Sequence, residues 1–438
     1  MMLGYYFRLA FNSLKRNPVL SSLMIMAIGL GIGASMTTIT VTYMMGTNPI
    51  PAKSEQLFYV QLDSWDPERP ASEPNEPPDQ ITYIDGMNLM RDKKAFRQTL
   101  NSTVSEVIQP EGDDIKPFDA MGRTSFADFF TMFDVPFLYG NGWNESDDNN
   151  RELVTVLSKA TNEKVFGGKN SVGQYIKIGP LQLRIVGVLN DWHPVPKFYD
   201  VTTGAFNEPE DFYIPYNLGI EYELSRAGNT NCWKSPEGDT FKEFINSECV
   251  FSQMWVELPT LSDKQDYLDY LTNYVNQQKS LGRFERPLNN QVRNVMEWME
   301  NQQVVSDQSK VITSLALMFL VVCLLNTVGL LLSKFLGKSA EIGLRRALGA
   351  SRNELFRQHL IESSIIGLGG GLLGLFLAWC GLQGIAALWG DQIGQLADMD
   401  WVMVISAVVL AIFTTIIAAL YPTWRACSIA PASQLKVQ

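Results

Sequence analysis

Few side chains in this sequence are of types that do catalytic chemistry. There are two histidines, His193 and His359, so neither a histidine-rich metal site nor a histidine-based nucleophile relay has the material it needs. His193 sits in the loop Asp191-Trp192-His193-Pro194, where a structural or solvent-exposed place is expected. Gly337-Lys338-Ser339 carries the tail of a phosphate-binding loop, but the position that should hold its first glycine is Leu332. That segment also follows an apolar run rather than a strand, so no glycine-rich turn is placed to cradle phosphates. Carboxylates are abundant, yet no spacing singles out a catalytic pair, and Asp147 and Asp148 do not fit a calcium loop. No cofactor is therefore expected to be held by this chain, and no enzymatic activity is expected of it.

Five cysteines divide between two settings. Cys323, Cys380 and Cys427 lie in or beside apolar runs, whereas Cys232 and Cys249 lie in a polar stretch, and none has zinc-ligand spacing. In an oxidising compartment Cys232 and Cys249 would close a short disulfide loop; two free thiols is the alternative that the sequence leaves open.

One segment is patterned for recognition. Ser339-Ala-Glu-Ile-Gly-Leu-Arg-Arg-Ala-Leu-Gly-Ala-Ser-Arg352-Asn-Glu354 reads as a short helix with Ile342, Leu344, Ala347 and Leu348 on an apolar face ringed by Glu341, Arg345 and Arg346. Such a helix can insert into a partner's groove. The alternative is an ordinary juxtamembrane helix held to anionic lipid through Arg345, Arg346 and Arg352.

The elements that must position this segment are membrane spans. Val19–Tyr43 is uncharged, follows Lys15, Arg16 and Pro18, and is long enough to cross a hydrocarbon layer of ~30 Å. It exceeds a signal-peptide apolar core and reads as an uncleaved anchor. Three further spans are expected at about 311–336, 361–389 and 401–421. Four crossings leave both termini inside and put residues 47–310 and the short loop 390–400 outside. Charge supports that topology: residues 47–310 hold 24 Lys/Arg against 40 Asp/Glu, and the segments assigned to the cytoplasm hold 11 against 3. The acidic excess on the large domain also argues against a nucleic-acid partner. Ahead of the first span, Leu3, Tyr6, Phe7, Ala10, Phe11 and Leu14 share one helix face, as in a helix lying along the membrane surface. Glycines four apart (Gly29 and Gly33, Gly367 and Gly371, Gly370 and Gly374) allow close helix approach. No span carries a charge near its middle, which disfavours an ion-coupled pathway through the bilayer.

The expected fold is thus an α+β membrane protein: four transmembrane helices, with a large mixed α/β extracytoplasmic domain inserted between the first and second. Its segments are 1–18 amphipathic helix, 19–46 first span, 47–310 outer domain with a stalk, 311–336 second span, 337–360 cytoplasmic loop, 361–389 third span, 390–400 outer loop, 401–421 fourth span and 422–438 tail. Within the outer domain, strands are expected at Leu57–Leu62, Leu153–Leu157 and Val250–Leu258, and a hairpin of Gln174–Ile178 with Leu181–Leu189 around Gly179–Pro180. Ser125 with Asp128 resembles a capping box for a short aromatic helix through Phe133, Ser158 caps a helix ending at Gly167–Gly168, and Ser262–Lys279 is helical. One domain with an insertion and two lobes both remain open. From about Leu288, Val292, Val295, Met296, Met299 and Val304 read as a helical seam running unbroken into the second span, a stiff strut that would carry motion across the membrane.

The sequence also resembles a known family. Glu341-Ile-Gly-Leu-Arg-Arg-Ala-Leu-Gly-Ala-Ser351 is similar to the coupling-helix segment of FtsX-type ABC permeases, and Tyr421-Pro-Thr-Trp-Arg-Ala426 with Ile429-Ala-Pro-Ala432 to their C-terminal signature. Leu9-Ala-Phe-Asn-Ser-Leu-Lys-Arg-Asn-Pro18 is similar to the family's N-terminal helix. In the outer part, Leu153-Val-Thr-Val-Leu-Ser158, Val165-Phe-Gly-Gly168, Val172-Gly-Gln-Tyr-Ile-Lys-Ile178 and Arg184-Ile-Val-Gly-Val-Leu189 resemble the MacB periplasmic core domain.

The resemblance to the MacB/FtsX type (type VII ABC) implies a permease of the bacterial inner membrane. It implies a second permease copy, identical or related, and a cytoplasmic ABC ATPase dimer that binds ATP and Mg. The coupling helix, residues Glu341, Ile342, Gly343, Leu344, Arg345, Arg346, Ala347, Leu348, Gly349, Ala350 and Ser351, would sit in an ATPase groove, and hydrolysis would be relayed to the outer domain to drive efflux by mechanotransmission. Because MacB exporters carry a fused ATPase and this sequence starts at the amphipathic helix, the ATPase is expected to be a separate chain. A periplasmic adaptor, an outer-membrane duct and membrane lipid are the remaining partners implied. Lipoprotein extraction of the Lol kind, FtsX-like regulation of a cell-wall hydrolase and, more weakly, a membrane-tethered outer-domain enzyme are the competing readings.

Overall fold

The computed structural model describes residues 2–111, 115–389, 405, 409, 412–413, 416–417 and 419–425. It divides into two compact units, one of residues 1–46 with 305–438 and one of residues 47–304.

The membrane unit is helical because its apolar runs must satisfy every backbone group internally. An amphipathic helix, Met2–Arg16, gives way to the first long helix, Pro18–Met45. The break falls at Asn17 because Pro18, lacking an N–H, fits the first turn of a new helix and forces Asn17 out of helical geometry. In the N-terminal helix Ala10 is buried and Leu14 packs on the core, while Phe11 stays exposed.

Two more helices are long and apolar enough to cross a membrane, within Asp307–Leu336 and Arg352–Ala387. The third span's helix begins nine residues earlier than the sequence suggested: Ser351 and Glu354 exchange hydrogen bonds, Ser351 N–H to Glu354 Oε2 at 3.0 Å and Glu354 N–H to Ser351 Oγ at 3.2 Å, so the capping box starts the helix at Arg352. The fourth span at 401–421 lies largely outside the described residues, and the loop 390–400 entirely so.

Glycine spacing does set the packing of the first and third span helices. A Cβ on Gly33 would lie 2.8 Å from Leu377 Cβ, and one on Gly374 would lie 2.8 Å from Ile32 Cγ2 and 3.2 Å from Gly29 O. Backbones this close leave no room for any larger residue.

The outer unit, residues 47–304, holds one mixed sheet of twelve strands among the described residues. The 13-residue strand Arg97–Gln109 joins its two halves. Residues 97–101 pair antiparallel with Val250–Glu257, which pairs with Leu57–Gln61 and through it with Gln291–Asn294. Residues 102–108 pair with Phe118–Ser125, which runs parallel to Phe212–Pro215; Val154–Leu157, Leu181–Leu189 and Phe137–Gly140 extend that half. Residues 47–304 form one compact unit whose described strands make one sheet. Helix Leu261–Ser280 covers the first half with Tyr267, Leu271 and Val275 facing Phe58, Val60 and Met254. Between the halves lies an aromatic core in which Tyr59 stacks on Trp298 at 3.8 Å and Phe129 meets Phe133 edge-on at 4.9 Å.

Local signals read from sequence recur here. The hairpin closes with Ile178 opposite Leu181 around Gly179–Pro180, and Ser158 accepts the Thr161 N–H at the start of Lys159–Phe166, which ends on left-handed Gly167. The Ser125–Asp128 capping box does not form. Ser125 is buried at the end of a strand, and Asp128 Oδ2 instead accepts from the Gln98 N–H at 3.1 Å. The strut is also not one helix. Gln291–Asn294 is a strand, Asn294 caps a short helix Val295–Asn301, and Gln303 adopts a left-handed φ of 49°. The Val304 N–H turns back to Met299 O at 3.1 Å, its side chain joins the aromatic core, and Ser306 caps the next helix. Burying Val304 and satisfying the helix's last carbonyls outweighs continuing the helix.

Candidate functional site

The expected coupling segment folds as a short helix in the turn between two span helices. Asp307–Leu336 ends as the Gly337 N–H bonds to Ser333 O, and Ser339–Ala347 follows as a separate helix. That helix stops on Gly349, whose φ of 103° only glycine adopts freely. The Ala350 N–H then reaches Arg345 O at 3.0 Å, and Ser351 starts the next helix. Gly337-Lys338-Ser339 is thus a helix-to-helix corner with no strand before it, and Lys338 is engaged by Ser13 and Glu362 within the chain. It offers no phosphate loop.

The apolar face expected of the segment divides in two. Ile342 is 6% exposed and belongs to the buried cluster with Leu331, Phe335 and Leu355. Leu344 and Leu348, four residues apart, are 57% and 80% exposed. Ile342 therefore anchors the helix, and the two leucines form the outward apolar pair. Arg345 does not simply ring that face: its guanidinium donates to Glu341 Oε1 at 2.6 Å and Gln358 Oε1 at 3.1 Å, clamping the helix to the one that follows. The side chain of Ala347 lies outside the described residues.

Beneath the segment is a buried polar cluster that the sequence did not reveal. Lys334 Nζ lies 2.8 Å from Glu362 Oε1, with both side chains at most 1% exposed. Ser13 and Lys338 also reach Glu362, the latter at 3.7 Å, and His359 Nδ1 lies 3.5 Å from its Oε2. Burial pushes the Lys338 ammonium below its usual range, against the opposing charge of Glu362. These residues come from four separate stretches of chain, so they tie the N-terminal helix, the second span, the turn and the third span at one end of the unit. Each is near the end of its apolar run, and only the contact across helices makes them a pair.

The outer unit holds a second buried network. Arg123 donates to Glu210 Oε1 at 2.6 Å and sits 2.5 Å from Asp200 Oδ2, Lys197 adds a contact to Glu210 at 2.8 Å, and Tyr199 and Tyr213 donate to Glu210 Oε2. Burial works to raise the Glu210 carboxyl, but the charges of Arg123 and Lys197 prevail and hold it far below the usual range. Burial pushes Asp148 up to about 7 although the Ala127 N–H and Trp143 Nε1–H donate to it at 2.7 and 2.9 Å. Cys232 and Cys249 form a disulfide beside the bridge pairing Asn231 with Val250. His193 is exposed. Among the described residues, no group of three or more His, Cys, Asp or Glu side chains could hold a metal ion.

Comparison with known proteins places these features in a family. The MacB-like periplasmic core domain family matches residues 21–268, and the FtsX-like permease C-terminal family matches residues 313–431. The macrolide export ATP-binding/permease protein MacB of Bdellovibrio bacteriovorus is 24% identical over 69% of this chain and 41% of its own length. The pyoverdine export ATP-binding/permease protein PvdT of Pseudomonas entomophila is 22% identical over 75% of this chain and 44% of its own. The chain thus spans about two fifths of the length of such relatives, whereas the ABC transporter permease YknZ of Bacillus subtilis, itself uncharacterized, matches at 21% identity over 98% of both. The crystallised periplasmic region of MacB from Actinobacillus actinomycetemcomitans aligns with 59% of this chain and 96% of its own at 14% identity and a TM-score of 0.36. With one family match covering more than half its length and the other most of the remainder, the chain belongs to the MacB/FtsX-type ABC transporter permeases.

Proposed function

We propose that this chain is the permease subunit of an exporter driven by mechanotransmission, in which ATP and Mg are bound by a separate cytoplasmic ATPase dimer. Four spans place the termini and the turn at 337–351 in the cytoplasm and the unit 47–304 outside, in a bacterial inner membrane. A second permease copy completes the assembly, and an adaptor and an outer-membrane duct extend it where an outer membrane is present. The names of the relatives speak of export of different cargoes, macrolides and pyoverdine; export is carried over here, and neither cargo is.

The observation that carries this reading is the exposed pair Leu344 and Leu348 on a helix that Ile342 and Arg345 fix to the membrane unit. An apolar pair held on a rigid base transmits a push from a partner's groove, which a loosely tethered helix would absorb. The relay to the outer domain passes through residues 302–306, where no helix runs, so it does not follow the unbroken strut that was expected.

Leu348→Cys in native membranes supplies the test. A cross-link from this position to a co-expressed ATPase chain, with yield dependent on nucleotide, supports the proposal. Labelling of the same cysteine by an impermeant reagent from the outer side contradicts it.

A further inference from the structure

A cleft of about 440 Å³ opens at the basic end of the membrane unit, between the N-terminal helix, the short helix Ser339–Ala347 and the start of Arg352–Trp389. Arg16 and Asn12 line one wall, Lys338 and Arg345 a second, and Gln358 and His359 the third. Three cationic side chains therefore face the cleft. The one carboxylate on its wall, Glu341, is already shared between Arg345 at 2.6 Å and Arg16 at 4.0 Å. Glu362, 3.7 Å from Lys338, is claimed more closely by Lys334. Positive charge is left in excess.

His359 adds an independent observation. It is 3% exposed, and its Nε2 has no hydrogen-bond partner. A buried ring nitrogen left unsatisfied costs free energy that a ligand in the cleft would recover. Arg16 is held only weakly, at 4.0 Å from Glu341 with three quarters of its side chain exposed, and can turn toward an incoming anion.

The groups match a phosphate. Guanidinium and ammonium groups donate to its oxygens with opposite charge, and the Asn12 amide adds a neutral donor. The cleft also lies where the apolar helices Pro18–Met45 and Asp307–Leu336 begin and end, the depth at which lipid headgroups sit.

We propose that this cleft binds a phosphate-bearing anion, the headgroup of an acidic phospholipid, between the N-terminal helix and the turn that carries Leu344 and Leu348. Bound there, the phosphate bridges Arg16 to Lys338 and Arg345 and fixes the short helix against its neighbours. The proposal concerns a lipid site and holds whether or not an ATPase docks on the same helix.

The test uses the full chain, delipidated in detergent and titrated with short-chain phosphatidylglycerol, phosphatidylcholine or inorganic phosphate. Bound lipid is read by native mass spectrometry, and phosphate by the shift in melting temperature. Phosphatidylglycerol is expected to bind saturably and at least tenfold more tightly than phosphatidylcholine. Arg16→Gln should weaken it about fivefold, Arg16→Lys should retain most of the affinity, and Lys310→Gln, at the far end of the second span's helix, should change nothing. Arg16 is exposed, so its substitution leaves folding intact. Inorganic phosphate that binds with the same dependence on Arg16 supports the phosphate site and assigns it to the free ion. Equal binding of the two lipids with no phosphate bound, or wild-type affinity in Arg16→Gln, overturns the proposal.

Discussion

Replacing both exposed leucines of the turn, in Leu344→Ser/Leu348→Ser, separates docking from folding. Leu344 and Leu348 are 57% and 80% exposed, so their loss should change the chain's own stability by no more than about 0.5 kcal/mol. In a partner's groove that exposed area would be buried. With about 2 kcal/mol for burying a whole leucine side chain, the exposed fractions give about 1.1 and about 1.6 kcal/mol. Together that is about 2.7 kcal/mol, or roughly a hundredfold in affinity. The assay is stimulation of the ATPase by the permease in proteoliposomes, titrated with permease, beside a melting curve of the permease alone. The expected result is a half-maximal concentration raised about a hundredfold at an unchanged melting temperature. Arg345→Glu is a poorer probe than its position on the helix suggests, because it also breaks the contacts to Glu341 and Gln358. Unaltered stimulation by the double variant would refute the reasoning, since among the described residues no other apolar side chain of the segment is exposed to this degree.

Gly33→Val should lower the melting temperature of the membrane unit by the equivalent of about 1–3 kcal/mol, because its Cβ would meet Leu377, whereas Gly329→Ala, with open space around it, should not; equal melting of the two in detergent would count against the close approach. Arg123→Met should cost about 3–5 kcal/mol in the outer unit by leaving Asp200 and Glu210 buried with less compensation, read by chemical denaturation. The same network sets a pH dependence: Glu210 is held below its unfolded value near 4.5, so its contribution is full above that pH and is lost as pH falls below it, and unfolding of the wild type followed from pH 7 down to pH 3 should show the decline. Cys232→Ser/Cys249→Ser should open the loop between these positions to proteolysis and cost about 3 kcal/mol, as expected for a closed loop of this length, with equal protease resistance of variant and wild type as the contrary result.

What the sequence made legible was whatever a short window encodes. The Gly179–Pro180 hairpin, the Ser158-to-Gly167 helix and the first three apolar helices each depend on neighbours within a few residues, and each formed. The coupling turn was legible as a helix but not as a face: Ile342 and Leu344 are two residues apart, and only packing against Leu331 and Leu355 decides that the first points in. Lys334 and Glu362 stand at the ends of two apolar runs, and nothing local says that 28 residues of chain return one to the other. Arg123, Asp200 and Glu210 disappeared among many acidic residues for the same reason, being united only when distant strands pair. The break in the strut does have local signals. Asn294 with Glu297 and Ser306 ahead of Asp307 are helix starts, and the apolar rhythm runs on across both caps.

The central claim is that another chain supplies the ATPase and docks on this permease. Its most direct measurement is the set of proteins that co-purify with the full chain extracted from native membranes in a detergent that preserves complexes. An ABC ATPase subunit in equal number to the permease, in a complex with two permease chains, is expected, as is its loss from the Leu344→Ser/Leu348→Ser variant. Recovery of an intact permease without any ATPase chain under those conditions would contradict the claim.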